Sequence, residues 1–200
     1  MAFQVRATNE LPDNARLVYS LNLLKNKRAF WLLQIPAFFG FFIFGFLFLM
    51  WTIWLRPGLL PTFSAGVEIW LLDLLILVIS LVFFLVLHEL IHGAFFWIYS
   101  RSRPRFGLRS GYAYAAAPGW YFPRRQYLVI ALAPFLLLSI LGMILLGVAP
   151  VGMLAAILFG TVSNAAGAVG DIWIALMILR ERRSIVIEDL GDGFNFYAPS

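Results

Sequence analysis

Gln126-Tyr-Leu-Val-Ile-Ala-Leu-Ala-Pro-Phe-Leu-Leu-Leu-Ser-Ile-Leu-Gly-Met-Ile-Leu-Leu-Gly147 opens a run of 45 positions, residues 126–170, without one charged side chain. About 20 apolar residues cross a bilayer as a helix, so this run holds two spans and a turn. Gly147, Val148, Ala149 and Pro150 supply the turn. Upstream, residues 29–55 form 27 uncharged positions between Arg28 and Arg56, a further span with Pro36 as a kink near its start. Residues 67–100 are longer than a span requires, and tilt or an extension beyond the bilayer absorbs the surplus. Downstream, the last helix continues to about Leu179. The chain is therefore expected to be an all-α polytopic membrane protein of four transmembrane helices, at about 29–55, 68–99, 126–147 and 151–179. Residues 1–200 are taken as one integral-membrane domain.

Composition agrees. Hydrophobic residues are 62% and charged residues 12%, against about 45–50% and 25% in soluble domains. That excludes an ordinary soluble protein and a disordered one. The absence of cysteine excludes a disulfide scaffold and thiolate metal ligands. The 28 residues before the first span do not fit a signal peptide. The net charge of +5 resolves into orientation. Residues 1–28, the segment 101–125 and the tail from Arg180 hold 14 of the 15 basic residues, and only Arg56 lies opposite. With four spans these three regions share one side. The positive-inside rule makes it the cytoplasm, with both termini there and the chain multi-pass in the cell membrane. The bilayer is the implied partner, and a nucleic acid is not.

The only two histidines lie four apart around a glutamate, in His88-Glu89-Leu90-Ile91-His92. On a helix, positions i and i+4 share a face, so both imidazoles reach one ion. In the H-E-x-x-H pattern the two histidines bind zinc and the glutamate is general base toward the water that the metal polarises. Ionisable groups inside a membrane helix are expensive and are functional by default. The alternative is a polar helix end solvated at the interface. A third ligand is needed, and only Glu68, Asp73, Glu89 and Asp171 lie in or beside the spans. Asp73 precedes His88 by 15 residues, about 22 Å along a helix, too far to share an ion. Asp171 precedes Arg180 by nine residues, as His92 precedes Arg101. Both helices run outside to inside, which places the two at one depth, about 13 Å below the boundary. Asp171 also follows small or polar residues at helical spacing, Gly160, Asn164 and Gly167. That stripe alone reads as a packing seam between helices. Asp171 is the preferred third ligand, with the fourth position left to water or substrate.

The pair His88-Glu89-x-x-His92 and Asn164-x-x-Gly167-x-x-x-Asp171 resembles the site-2-protease class of intramembrane zinc metalloproteases. More closely, the chain resembles the family of putative zincin peptidases, through residues 88–93, Arg125-Gln-Tyr-Leu-Val-Ile-Ala-Leu-Ala-Pro134 and residues 164–172. The resemblance covers roughly residues 70–180. It implies that His88, His92 and Asp171 bind Zn2+, that Glu89 is the catalytic base and that Asn164 supports the oxyanion. The site-2 pattern has proline where this chain has Gly167, and Asp-Gly one residue later where this chain has Asp171-Ile172, so a proline-broken helix entry is not expected.

Between the second and third spans, residues 110–123 carry no charge and include Tyr112, Tyr114, Trp120, Tyr121 and Phe122. Gly111, Pro118, Gly119 and Pro123 oppose a helix. A re-entrant or interfacial strand-like segment folding over the metal site is expected, with Tyr112 and Tyr114 on one face. Its edge could hold an extended substrate by β-augmentation. An aromatic belt anchoring a loop explains the same residues. In the N-terminal tail, Leu17, Leu21 and Leu24 with Asp13 as N-cap suggest a short interfacial helix, a frayed polar tail being the alternative. The C-terminal tail from Ser184 suggests one strand and a turn.

The function expected is a zinc endopeptidase cleaving membrane-protein or peptide substrates within or near the bilayer. The alternative is a degenerate, non-catalytic metal-binding protein that holds client membrane proteins, against which an intact Glu89 argues. A transporter predicts internal repeats or paired broken helices, and none is legible.

Overall fold

The structure, a computed structural model, describes residues 6–11, 13–22, 26–58, 71–109 and 112–200. Leu24, Glu68, Gly111 and the start of the second span lie outside them. The elements run β1 (Ala15–Asn22), α1 (Lys27–Leu55), α2 (Leu71–Ser100), β2 (Arg105–Arg109), β3 (Tyr112–Ala116), β4 (Tyr121–Pro123), α3 (Arg124–Val148), α4 (Leu154–Gly167), α5 (Val169–Arg180), β5 (Val186–Asp189) and β6 (Gly193–Pro199). Among the described residues, four helical stretches are long and apolar enough to cross a membrane: 31–55, 71–100, 124–148 and 151–180. Trp31, Phe46 and Trp54 on α1 and Leu71 and Leu72 on α2 are 63–83% exposed. Apolar surface of that extent on whole helices fits lipid contact, since soluble monomers seldom expose large contiguous apolar patches.

The fourth stretch departs from one continuous helix. A 3-10 turn at Val151–Met153 precedes α4, and α4 ends at Gly167 with Ala168 as the joint to α5. Gly167 and Gly170 flank the joint, and glycine weakens helix by about 1 kcal/mol per residue relative to alanine. The helix is thus interrupted between Asn164 and Asp171 without a proline.

The chain divides into two compact units, residues 1–34, 89–134 and 170–200 in one, and 35–88 and 135–169 in the other. The first is built around a sheet in the order β1-β6-β5-β4, all antiparallel neighbours. On β6, Phe194, Phe196 and Ala198 alternate inward and join Leu21, Phe96, Phe122, Tyr127, Ile130, Ile174, Ile178 and Ile187 in one core. Thr8 exchanges both backbone hydrogen bonds with Tyr121, at 3.1 and 2.8 Å, which covers the outer edge of β4. A separate two-stranded sheet pairs β2 with β3. Arg124 donates to the carbonyls of Glu181 and Leu179 at 2.8 and 2.9 Å, a cation at the end of α5 where helix carbonyls lack partners.

Here the tails differ from expectation. The N-terminal segment is a strand: Ala15–Asn22 pairs with β6 from Pro199 to Gly193. Leu17 and Leu21 have helical spacing, yet Leu17 is exposed and Leu21 buried, because a bulge between Leu17 and Tyr19 shifts the register. A helix this short is marginal in water, and pairing with β6 satisfies the backbone instead. The C-terminal tail forms two strands where one was expected. The segment 110–123 is strand-forming as expected, contributing β3 and β4.

The second unit packs Phe48, Leu146, Ala149, Leu154, Val162 and Ala165. Gly160 lies against Phe84 and Ser80 with no room for a Cβ, and the Ser80 hydroxyl donates to the Ala156 carbonyl at 2.6 Å. Gly160 therefore does serve close helix approach. Arg56, the one basic residue set apart by the charge count, donates through Nε and Nη2 to the Gly147 carbonyl at 3.0 and 2.8 Å. It caps the C-terminal end of α3.

Candidate metal centre

His88 and His92 stand one turn apart on the unbroken helix α2. His92 is buried, and its Nδ1 lies 2.9 Å from the Ile130 carbonyl oxygen on α3. A carbonyl only accepts, so Nδ1 carries the hydrogen and donates. The neutral ring then presents the Nε2 lone pair, and Nε2 faces Asp171 Oδ1 at 3.5 Å. Two lone pairs this close repel unless a proton or a cation lies between them. Ligands of a tetrahedral zinc, with bonds of about 2.0–2.1 Å, are separated by roughly 3.3 Å. The spacing therefore fits an ion.

His88 is arranged in the same way. Its Nδ1 lies 2.9 Å from Asn164 Oδ1 on α4, so it donates there and leaves Nε2 as the ligand atom. Ligand atoms of His88, His92 and Asp171 all lie within 4.8 Å of one another and could hold a metal ion. The donor set of two imidazoles and one carboxylate suits zinc. Each histidine has its second nitrogen held by an acceptor, the outer-shell arrangement that orients metal ligands.

The structure thus brings together the three residues that the sequence offered as ligands, His88, His92 and Asp171. Asp171 lies in the first turn of α5, and Asp73 in the first turn of α2, where a carboxylate favours the helix N-terminus. Glu89 is half-buried and follows His88 directly on α2. Asn164 is buried, and its Nδ2 has no hydrogen-bond partner among the described residues. A buried donor left unmade costs about 1–3 kcal/mol, and such groups are often held for chemistry.

Tyr112 and Tyr114 occupy alternate positions of β3, with ring centroids 6.4 Å apart. Neither belongs to the ligand group. Tyr114 packs on Gly107 of β2 and on Gly191, whose φ of +80° and contact with the ring leave no place for a side chain.

One residue escaped the sequence reading. Asp189, at the end of β5, accepts a hydrogen bond from the Tyr127 hydroxyl and, at 2.8 Å, another from the Gly191 N–H. Burial pushes its carboxyl up to about 6 against these bonds, with His92 opposing the shift and Asp171 adding to it. Its charge is thus felt at the candidate ligands. The only signal in the sequence was an acid beside a turn, which describes most solvated acids equally well.

Among the described residues, four apolar helices are long enough to cross a membrane, and two histidines and one carboxylate are placed where they could share an ion. The chain belongs to the putative zincin peptidase family, whose model matches residues 81–186, more than half of it. The match takes in both histidines, Asn164 and Asp171, and ends before Asp189 and β6. No curated protein and no solved structure matches the chain.

Proposed function

We propose that this protein is a zinc endopeptidase of the site-2-protease type, embedded in the cell membrane and hydrolysing peptide bonds of membrane-protein or peptide substrates within or near the bilayer. The observation that carries the reading is the facing pair His92 Nε2 and Asp171 Oδ1, with His88 one turn away and both Nδ1 hydrogens already committed. When bound, zinc would supply Lewis-acid polarisation, lowering the pKa of water toward about 7. His88, His92 and Asp171 would hold the ion. Glu89 takes the proton of the attacking water and returns it to the leaving amine, so that the carboxylate is restored. Asn164 Nδ2, a buried donor without a partner among the described residues, is available to the oxyanion that forms as the carbonyl is attacked. β2 and β3 form a two-stranded sheet, and an extended peptide added along its edge would run beside Tyr112 and Tyr114.

The test uses purified full-length protein and a co-expressed membrane substrate. Glu89→Gln should keep stoichiometric zinc and lose cleavage, by a factor of at least about 100 for removal of a general base. Asp171→Ala should lose the metal. Normal cleavage by Glu89→Gln sinks the protease reading, and full zinc in Asp171→Ala sinks the ligand assignment. Zinc retained without cleavage by the wild type would favour the client-binding alternative.

A further inference from the structure

Ile130, whose carbonyl receives the His92 Nδ1 hydrogen, lies four residues before Pro134 within α3. In an α-helix the carbonyl of residue i accepts from the N–H of residue i+4. Proline has no N–H, so α3 cannot satisfy the Ile130 carbonyl by that bond. Ile130 and Pro134 are both fully buried, which keeps bulk water from replacing it. The proline ring also crowds the carbonyl four residues back, turning it away from the helix axis. An acceptor is thus freed within the apolar stretch Tyr127–Leu138 of α3, and His92 occupies it at 2.9 Å.

We propose that Pro134 is a positioning residue of the metal centre, deleting one helix donor so that the Ile130 carbonyl is reserved for His92 Nδ1. The inference rests on the metal-centre reading above and assigns its origin. With an ordinary residue at 134, a backbone N–H would share the Ile130 carbonyl and draw it back toward the helix axis, weakening the bond that fixes the tautomer and ring direction of His92. Nε2 would then be held less firmly toward Asp171, 3.5 Å away. Pro134 acts through His92 and touches neither the substrate nor the reacting atoms.

The experiment titrates metal-free, full-length protein with Co2+, reading the dissociation constant and the visible ligand-field spectrum. Loss of an outer-shell partner typically weakens metal affinity about 10–100-fold, and Pro134→Ala should do so with a changed spectrum. Its thermal transition should be no lower than that of the wild type, because the helix regains a bond. Pro36→Ala, at the exposed proline within α1, should bind as the wild type does. The decisive variant places lactic acid at 134, an alanine side chain on an ester link that lacks the N–H. Wild-type affinity and spectrum there, with affinity lost in Pro134→Ala, establish the missing donor as the cause. Equal losses in both would mean that only the ring's packing matters and would overturn the proposal, as would undiminished affinity in Pro134→Ala. If Pro134→Ala does not fold, the ester variant decides alone: wild-type affinity supports the proposal and a tenfold loss refutes it. A wild-type chain that takes up no Co2+ overturns the metal-centre reading itself, an outcome visible before any variant is compared.

Discussion

Asn164 presents two ends to two different tasks, and substitution can separate them. Oδ1 holds His88 Nδ1 at 2.9 Å, while Nδ2 is buried without a partner among the described residues. Removing both ends in Asn164→Ala should weaken zinc about 10–100-fold and lower cleavage even at saturating zinc. Asn164→Asp keeps an acceptor for His88 and removes the donor. It should bind zinc nearly as the wild type does, yet lose cleavage about 100–1000-fold, the usual effect of deleting one oxyanion donor. Zinc titration alongside single-turnover cleavage checks both, and equal cleavage by Asn164→Asp and wild type would remove the oxyanion role. His88 and His92 were legible as a candidate ligand pair at this scale because i, i+4 spacing is local to one helix. Asp171 was legible because equal distance from two helix ends is a matter of counting. The acceptors Asn164 Oδ1 and the Ile130 carbonyl were not legible as partners, since each pairing joins residues on different helices and leaves no periodic trace.

At the scale of elements, apolar length announced the helices, whereas the sheet was hidden. A bilayer demands about 20 apolar residues in sequence, and every such run became a helix. The pairings that build the sheet join distant segments, β1 with β6 from Ala15↔Pro199 to Asn22↔Gly193 and β4 with β5 at Tyr121↔Glu188, and only β5 with β6 is local. Short tails cannot announce such pairing, and Leu17 and Leu21 fell by chance on helical spacing. The turn joining β5 and β6 carries a testable electrostatic strain. Asp189 titrates at about 6 in the folded chain, above the ordinary 3.8, chiefly through burial. The folded state thus holds a proton that the unfolded state has already released between about pH 4 and 6. Stability from this group falls as pH rises through that window, and the penalty stays above it. Asp189→Asn abolishes the ionisation, while its amide still accepts from Gly191 and donates to the Tyr127 oxygen. In metal-free protein the variant should melt near the wild type at pH 4.5 and higher at pH 7.5. The gain should be about 1–3 kcal/mol, two pKa units being worth roughly 2.7. A melting difference that does not change with pH would show that Asp189 is ionised in the folded chain without penalty.

At the scale of the whole molecule, charge and sheet pairing support one proposal by separate routes, that three segments of the chain share a side of the membrane. The basic residues cluster in three segments that must share a side if there are four spans. The structure joins β1 of the N-terminal segment, β4 of the segment between the second and third helices, and β5 and β6 of the C-terminal tail in one hydrogen-bonded sheet. A sheet cannot be divided by a bilayer, because every backbone group in hydrocarbon must be satisfied internally. That the three segments share a side, and that this side is the cytoplasm, are both proposals, and the chain has no cysteine to interfere with their measurement. Single cysteines at the exposed positions Asn9, Arg103, Ser184 and Gly58 can be probed with a membrane-impermeant maleimide, in intact cells and in inverted vesicles. Asn9→Cys, Arg103→Cys and Ser184→Cys should react together and only in inverted vesicles. Gly58→Cys, beside the lone outward arginine, should react only in intact cells. Labelling of the first three from opposite sides would contradict the sheet. Labelling of all three from outside would leave the sheet intact and reverse the protein in the membrane, moving the cleavage site to the outer leaflet.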